Sequence, residues 1–380
     1  MYYFDNSATT KPLEDVLATY QQVATKYFAN PSSSHKLGEE AKGLMNLARK
    51  QIADILGFDD SEIFFASSGT EVNNWVMQAI LPALKNIHVG RNKVLISRIE
   101  HPATMKQVNK LQELGFDIEF IKVNDDGVID LDNFRSLLTS DVLLVSIMGV
   151  NNEVGAIQPV KDIERILKDY PQVIWHMDAV QTVTTQLELL KYPRIDMLTL
   201  SSHKFHSVKG VGILAKRNRV ASQPLLFGGG QECGQRSSTE NLAAIVATSR
   251  ALRIMNEVQQ EAKTNLSTFR QQIIDSFKQN GWQIFAEHTG SEHIICAAYA
   301  GIPGEVLLHA FESHDVYIST TSACSSRTHT DHATLTAMGV DKTISKSAIR
   351  ISMAHTTTQK EVDYLIKTIK LVTDKFRQQK

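Results

Sequence analysis

The sequence predicts an α/β protein: a large unit built on a mainly parallel, seven-stranded sheet, joined to a smaller α+β unit. Three observations predict it. The chain has 380 residues, more than one small domain needs. Short apolar runs alternate with amphipathic stretches through most of its length, the rhythm of helices layered on a parallel sheet. That texture changes near Asn241, where a long helical stretch begins.

The first dozen residues are apolar enough to pack against the smaller unit, which is then discontinuous: 1–13 with 250–380, around a large unit at 14–249. A helical pattern runs over 39–56. Strands are expected at 62–66, 93–97, 118–123, 142–148, 173–177, 197–200 and 211–215. These runs are rich in Val, Ile, Leu and Phe and bounded by turn residues, as strands covered on both faces are. Helical patterns such as 131–138 lie between them. Gly210 and Gly212 leave room for an antiparallel excursion at the seventh strand. The stretch 242–279 reads as helix with a break or bend. Strands at 293–298, 316–319 and 348–353 follow, then a closing helix at 359–377.

Composition narrows the function. Hydrophobic residues make up 42% and charged residues 21%, which allows a full core and argues against disorder. Lys plus Arg (40) nearly balances Asp plus Glu (41), so the basic excess of a nucleic-acid binder is missing. No apolar run approaches the roughly 20 residues that span a bilayer. The start, MYYFDN, has neither a basic n-region nor an apolar h-region, so a cytoplasmic location is expected. Cys233, Cys296 and Cys324 are too few and too scattered for a disulfide framework or a thiolate zinc site. A soluble enzyme of a reducing compartment is the expected class.

Candidate chemistry lies at four strand ends, where ligands bind in open α/β sheets. In Ser201-Ser202-His203-Lys204-Phe205-His206, a lysine follows a buried strand. It is either a surface cation or an amine of lowered pKa that condenses with a carbonyl cofactor. In His176-Met177-Asp178-Ala179-Val180-Gln181, the acid either caps a helix or holds a protonated ring nitrogen. Ser67-Ser68-Gly69-Thr70-Glu71 fits a capping box from Ser68 to Glu71, and the same turn offers N–H groups and hydroxyls to a phosphate. In Glu100-His101-Pro102, the histidine is a structural donor, or it stacks on a flat ring and moves protons. Gly228-Gly229-Gly230 lacks the strand–turn–helix context of a dinucleotide loop.

Their order (phosphate turn, histidine, acid, lysine) suits a pyridoxal-phosphate enzyme of the aspartate aminotransferase type. The segments FDNSATT (4–10), NPSSSH (30–35), SSGTE (67–71), EHPA (100–103), VNNEVG (150–155), DAVQ (178–181), SSHKFH (201–206), GGGQE (228–232), RSSTEN (236–241) and SACSS (322–326) run the length of the chain. In this order they resemble the NifS/IscS cysteine desulfurases of the class V aminotransferase family.

The resemblance implies fold type I of the pyridoxal 5'-phosphate enzymes and that cofactor. It implies that Lys204 holds the cofactor covalently and shuttles the substrate's Cα proton. Asp178 would pair with the ring nitrogen, Gln181 with the ring oxygen, and His101 would stack on the ring and assist proton transfers. Gly69, Thr70, Ser201 and His203 would hold the phosphate, with Thr239 supplied by the second subunit of a homodimer. Asn152 and Arg350 would grip the substrate carboxylate, a planar fork matching a carboxylate bidentately. Cys324 would take the sulfur of L-cysteine as a persulfide, leave L-alanine, and pass the sulfur to an acceptor protein, either an iron–sulfur scaffold or a tRNA- or thiamine-thiolating enzyme. No metal, membrane or direct nucleic-acid contact is implied.

Cys324 separates a desulfurase from an ordinary transaminase. It stands in a polar stretch, whereas Cys296, within IICAA, reads as a packing residue. Cys324, His329 and His332 are spaced closely enough for zinc, but a fourth ligand is missing. The chain departs from the family pattern at Cys233, which stands where an arginine is common and whose functional reading is a second reactive thiol, and at Ser238 and His355. Two alternatives stay open. One is another class V aminotransferase or lyase acting on a small amino acid, and the other is a desulfurase-like protein that binds without turnover.

Overall fold

The computed structural model describes residues 1–321 and 333–378. These carry thirteen strands: β1 (Tyr2–Tyr3), β2 (Ile63–Ala66), β3 (Lys93–Ser97), β4 (Asp117–Ile121), β5 (Val142–Ser146), β6 (Ile174–Asp178), β7 (Met197–Ser201), β8 (Gly212–Lys216), β9 (Gln283–Phe285), β10 (Ile294–Ala298), β11 (Val316–Tyr317), β12 (Ser319–Thr320) and β13 (Ala348–Ser352). Seven of them form one sheet in the order β2-β8-β7-β6-β5-β3-β4. All its pairings are parallel except those of β8, which runs antiparallel to both β2 and β7. This is the excursion that Gly210 and Gly212 allowed. Gly210 turns the chain back at φ +94°, which an L side chain rarely adopts.

Both faces of the sheet are covered, which is why its strands read as near-continuous apolar runs. Helices Glu14–Lys26, Lys36–Leu56 and Leu242–Gln279 lie over one face, with Ile52, Leu56, Trp175 and Leu252 in the shared core. The helical run from Gly69 to Ile87 covers the other, through Trp75, Ile80 and Leu84.

The stretch 242–279 is one unbroken helix, not the broken one that its length suggested. It contains neither Gly nor Pro, so nothing interrupts its hydrogen-bond ladder over about 57 Å. Its first half packs on the large sheet and its second half, through Leu266, Ile273 and Phe277, on a separate core. That second core belongs to the antiparallel sheet β12-β13-β10-β9. The expected strand at 316–319 is divided: β11 pairs in parallel with β1, and β12 pairs with β13. Phe4 is buried in this second core, so the N-terminal residues do pack there. No helix among the described residues is long and apolar enough to cross a membrane.

Candidate active site

The C-terminal ends of β2, β3, β6 and β7 open on one cavity of about 310 Å³. That is near the lower end of the roughly 300–1,000 Å³ common for small-molecule sites. Gly69, Thr70, His101, Asn152, Asp178, Gln181, Ser201, His203, Lys204 and Arg350 all line it. The structure therefore brings together every expected site residue except two. Thr239 lines a different cavity, with Arg236 and Glu240. Cys324, with Ser322, Ser325, Ser326, His329 and His332, lies outside the described residues.

Lys204, Asp178 and Gln181 are each held by at least one partner distant in sequence. Lys204 Nζ donates to the carbonyls of Ser7 (2.5 Å) and Ala8 (2.9 Å). Asp178 Oδ2 accepts from Asn73 Nδ2 at 2.7 Å, and Oδ1 accepts from the Val180 N–H at 3.0 Å. Gln181 donates from Nε2 to Ser7 O (3.0 Å), and its Oε1 lies 3.3 Å from His293 Nε2. An amide oxygen only accepts, so His293 donates from Nε2, and the second Gln181 N–H stays available.

His101 caps its own short helix: Nδ1 accepts from the Ala103 N–H at 3.1 Å. That nitrogen carries no proton, so the neutral ring has its hydrogen on Nε2 and acts there as a donor. Burial lowers the imidazole below its ordinary range, with Asp178 opposing the shift and Lys204 reinforcing it. Next to it, burial and the nearby Asp178 push Glu100 up to about 8. Its Oε1 accepts from Met148 N (2.6 Å) and Ser97 Oγ (2.9 Å), while Oε2 is buried with no partner among the described residues. Burial and Asp178 thus both favour the protonated form of this carboxyl.

The turn after β2 differs from expectation. Ser68 Oγ accepts from the Glu71 N–H at 3.2 Å, which is half of a capping box. The other half is absent, because the Glu71 carboxylate is drawn away to Arg236 (2.8 Å) and to the Ser67 N–H (2.8 Å). An ion pair outcompetes the short return to the backbone. Behind the turn, an added Cβ at Gly69 would meet Val180 at 3.1 Å and Ser201 at 3.2 Å, so glycine lets the two strand ends close together.

These residues fit pyridoxal phosphate. Ser7 Oγ, Asn73 Oδ1 and Arg350 Nε belong to cavity-lining residues, are buried, and have no partner among the described residues. Buried polar atoms are nearly always paired, so such a cluster marks a polar ligand's place. An amine, an acid and an open amide hydrogen also match the ring's functional groups.

Asn73, His293, Asp5 and the Ser7 and Ala8 carbonyls were missed in the sequence. Asp5, Ser7 and Ala8 stand in the FDNSATT segment, but no local pattern names their partners; only the fold brings them here. Cys296 is fully buried and its thiol is pushed up by burial, as a packing residue should be. Cys233 is exposed, at φ +56°. His355 packs edge-on against His206, with ring centroids 4.5 Å apart.

Comparison with known proteins agrees with this geometry. The family model described as aminotransferase class-V matches residues 2–365. A "NifS/IcsS protein homolog" of Lactobacillus delbrueckii subsp. bulgaricus is 42% identical, over 96% of this chain and 95% of the relative. A "Cysteine desulfurase IscS" of Methanosarcina thermophila is 34% identical, over 99% and 92%. A solved "NIFS-LIKE PROTEIN" superposes with a TM-score of 0.91 at 35% identity, covering 98% of this chain and all of that one. With a matching family model along nearly its whole length and these relatives beside it, the chain belongs to the class-V aminotransferases, in their NifS/IscS branch.

Proposed function

We propose that this protein is a pyridoxal-phosphate-dependent cysteine desulfurase, which releases the sulfur of L-cysteine, leaves L-alanine and carries the sulfur on Cys324 as a persulfide. One observation carries the reading. A single cavity gathers the amine of Lys204, the carboxylate of Asp178, the amide of Gln181 and the guanidinium of Arg350, in a chain whose relatives are named cysteine desulfurases. When bound, pyridoxal phosphate supplies a carbonyl for an amine and a ring that draws electrons from the substrate's Cα.

The chain's own residues do the rest. Gly69, Thr70, Ser201 and His203 bind the phosphate. Asp178, fixed by Asn73, balances the positive ring nitrogen, and the free Gln181 N–H donates to the ring oxygen. Lys204 moves the Cα proton, and His101 donates from Nε2. Asn152 and Arg350 take the substrate carboxylate. Cys324 thiolate attacks the substrate sulfur, forming an S–S bond as the Cβ–S bond breaks. The electron pair of that bond stays on Cβ, which takes up a proton and becomes the methyl group of L-alanine, so the oxidation of sulfur is balanced by reduction of Cβ.

The same reading places the protein in the cytoplasm as a homodimer, with Thr239 of one copy completing the phosphate site of the other. Its supporting observation is that Thr239 lies apart from the Lys204 cavity of its own chain. It divides the chain into 14–249 and 1–13 with 250–380, and gives the sulfur to an iron–sulfur scaffold or a thiolating enzyme.

The test supplies L-cysteine and measures alanine and protein-bound sulfane sulfur in wild type and Cys324→Ala. Both products should vanish in the variant. Turnover of another amino acid, unaffected by the change, would point to a transaminase or lyase. A coloured but inert protein would point to a binding role.

A further inference from the structure

The segment 5–10 links the two sheets beside the cavity. Asn6 Nδ2 donates to Ser352 O (3.0 Å) and the Ser7 N–H to Ser352 Oγ (2.8 Å), which ties the segment to β13. Thr10 donates from its N–H and its hydroxyl to His203 O, each at 2.9 Å, which ties it to the turn after β7. At the start of this segment, where Asp5 is itself bridged to Ser352, the Asp5 carboxylate accepts from Arg350 Nη2 at 2.9 Å.

Arg350 Nη1 donates to Asn152 O at 2.8 Å. A guanidinium is planar and its five N–H groups point in fixed directions, so anchored acceptors on both terminal nitrogens set its orientation. The side chain is 7% exposed, and its Nε–H is buried with no partner among the described residues. Leaving such a donor unpaired is unfavourable, and an arriving carboxylate would satisfy it.

We propose that Asp5 is a positioning residue for substrate selection, holding the Arg350 fork so that its unused donors form a preset receptor for the α-carboxylate of the amino acid. The inference rests on the desulfurase reading and adds a residue to it. Asp5 acts through orientation: an anchored acceptor oxygen, more than its charge, keeps the fork in place.

The test uses cofactor-loaded Cys324→Ala protein, so that substrate binds without losing its sulfur. Cofactor absorbance is titrated with L-cysteine and with cysteamine, which has the amine and thiol but no carboxylate. Adding Asp5→Ala should weaken L-cysteine binding about tenfold or more, the loss expected when a charge-assisted hydrogen bond no longer fixes its partner. Cysteamine should change by less than about twofold, and this also shows that the site is still folded. Asp5→Asn, which keeps an acceptor oxygen, should restore L-cysteine to within about threefold of the parent.

Equal weakening of both ligands in Asp5→Ala would overturn the proposal, because the damage would then be general. Unchanged L-cysteine binding in Asp5→Ala, or Asp5→Asn as weak as Asp5→Ala, would overturn it too. Failure of the desulfurase reading looks different: L-cysteine would leave the absorbance of the parent protein itself unchanged, and both readings would fall together.

Discussion

Gly212→Ala tests how tightly the sheet holds the phosphate turn. A Cβ at Gly212 would stand 2.3 Å from Ser68 O, 2.5 Å from Ser68 C and 2.9 Å from Ser68 N. All three are backbone atoms, so no rotamer change relieves the contact. Strand β8 cannot retreat, because it is hydrogen-bonded to β2 on one side and β7 on the other. Ser68 is itself held by the Glu71 N–H, and Glu71 by Arg236. The turn that carries Gly69 and Thr70 must therefore move. Overpacking of this kind costs about 1–3 kcal/mol. Expressed in cofactor affinity, that is a loss of about 5- to 150-fold.

Gly210→Ala is the control. Its φ of +94° makes the substitution strained, but the nearest atom to an added Cβ is Asn241 Nδ2 at 4.0 Å. It should lose about 1–2 kcal/mol of stability and keep its cofactor affinity. Thermal melts and titration of cofactor-free protein with pyridoxal phosphate measure both quantities. If Gly212→Ala binds the cofactor as well as Gly210→Ala does, the contact at Ser68 does not govern the site.

The remaining predictions concern stability. Burial holds His176, His203 and His355 down to about 4, and His293 down to about 3. The unfolded chain binds protons that these rings refuse, so their contribution is complete above pH 6.5, the ordinary histidine value, and is lost as pH falls toward 4; a melting temperature that stays flat across that window would contradict this. Glu100 has the opposite sign. Its folded carboxyl keeps a proton to about 8 where the unfolded one releases it near 4.5, so its contribution fades as pH rises through that range. Glu100→Gln cannot ionise and should gain on wild type in melts at high pH compared with low pH. Asp196, with its side chain 3% exposed, pairs with Arg194 at 2.7 Å and Arg219 at 2.6 Å. Arg194→Met, at the buried side, should cost about 3–5 kcal/mol in urea melts. Arg219→Met, whose side chain is 45% exposed, should cost under about 1 kcal/mol, and equal losses would refute the distinction.

Much of this protein is legible in local pattern. Every expected strand of the large sheet lies within two residues of an observed one, because burial on both faces demands continuous apolar runs. The glycines at 210 and 212 left room for the antiparallel strand of the large sheet, β8. Motif order along the chain pointed to Lys204, Asp178 and His101, the family resemblance added Arg350, and the fold places all four on one cavity. Local rules failed where a distant partner entered. The capping box at Ser68 and Glu71 is a sound local inference, undone by Arg236, 165 residues away.

The sequence by itself determined the elements and the chemical groups, because periodicity and residue type act over a few neighbouring positions. Only the tertiary structure decided how those groups are held. Asn73 reaches Asp178 across 105 residues, and Asp5 reaches Arg350 across 345. Nothing in either neighbourhood names its partner. Such pairs exist only once strand ends have been stacked side by side and the N-terminal segment has been laid against β13, since a hydrogen bond forms at about 3 Å whatever the distance along the chain.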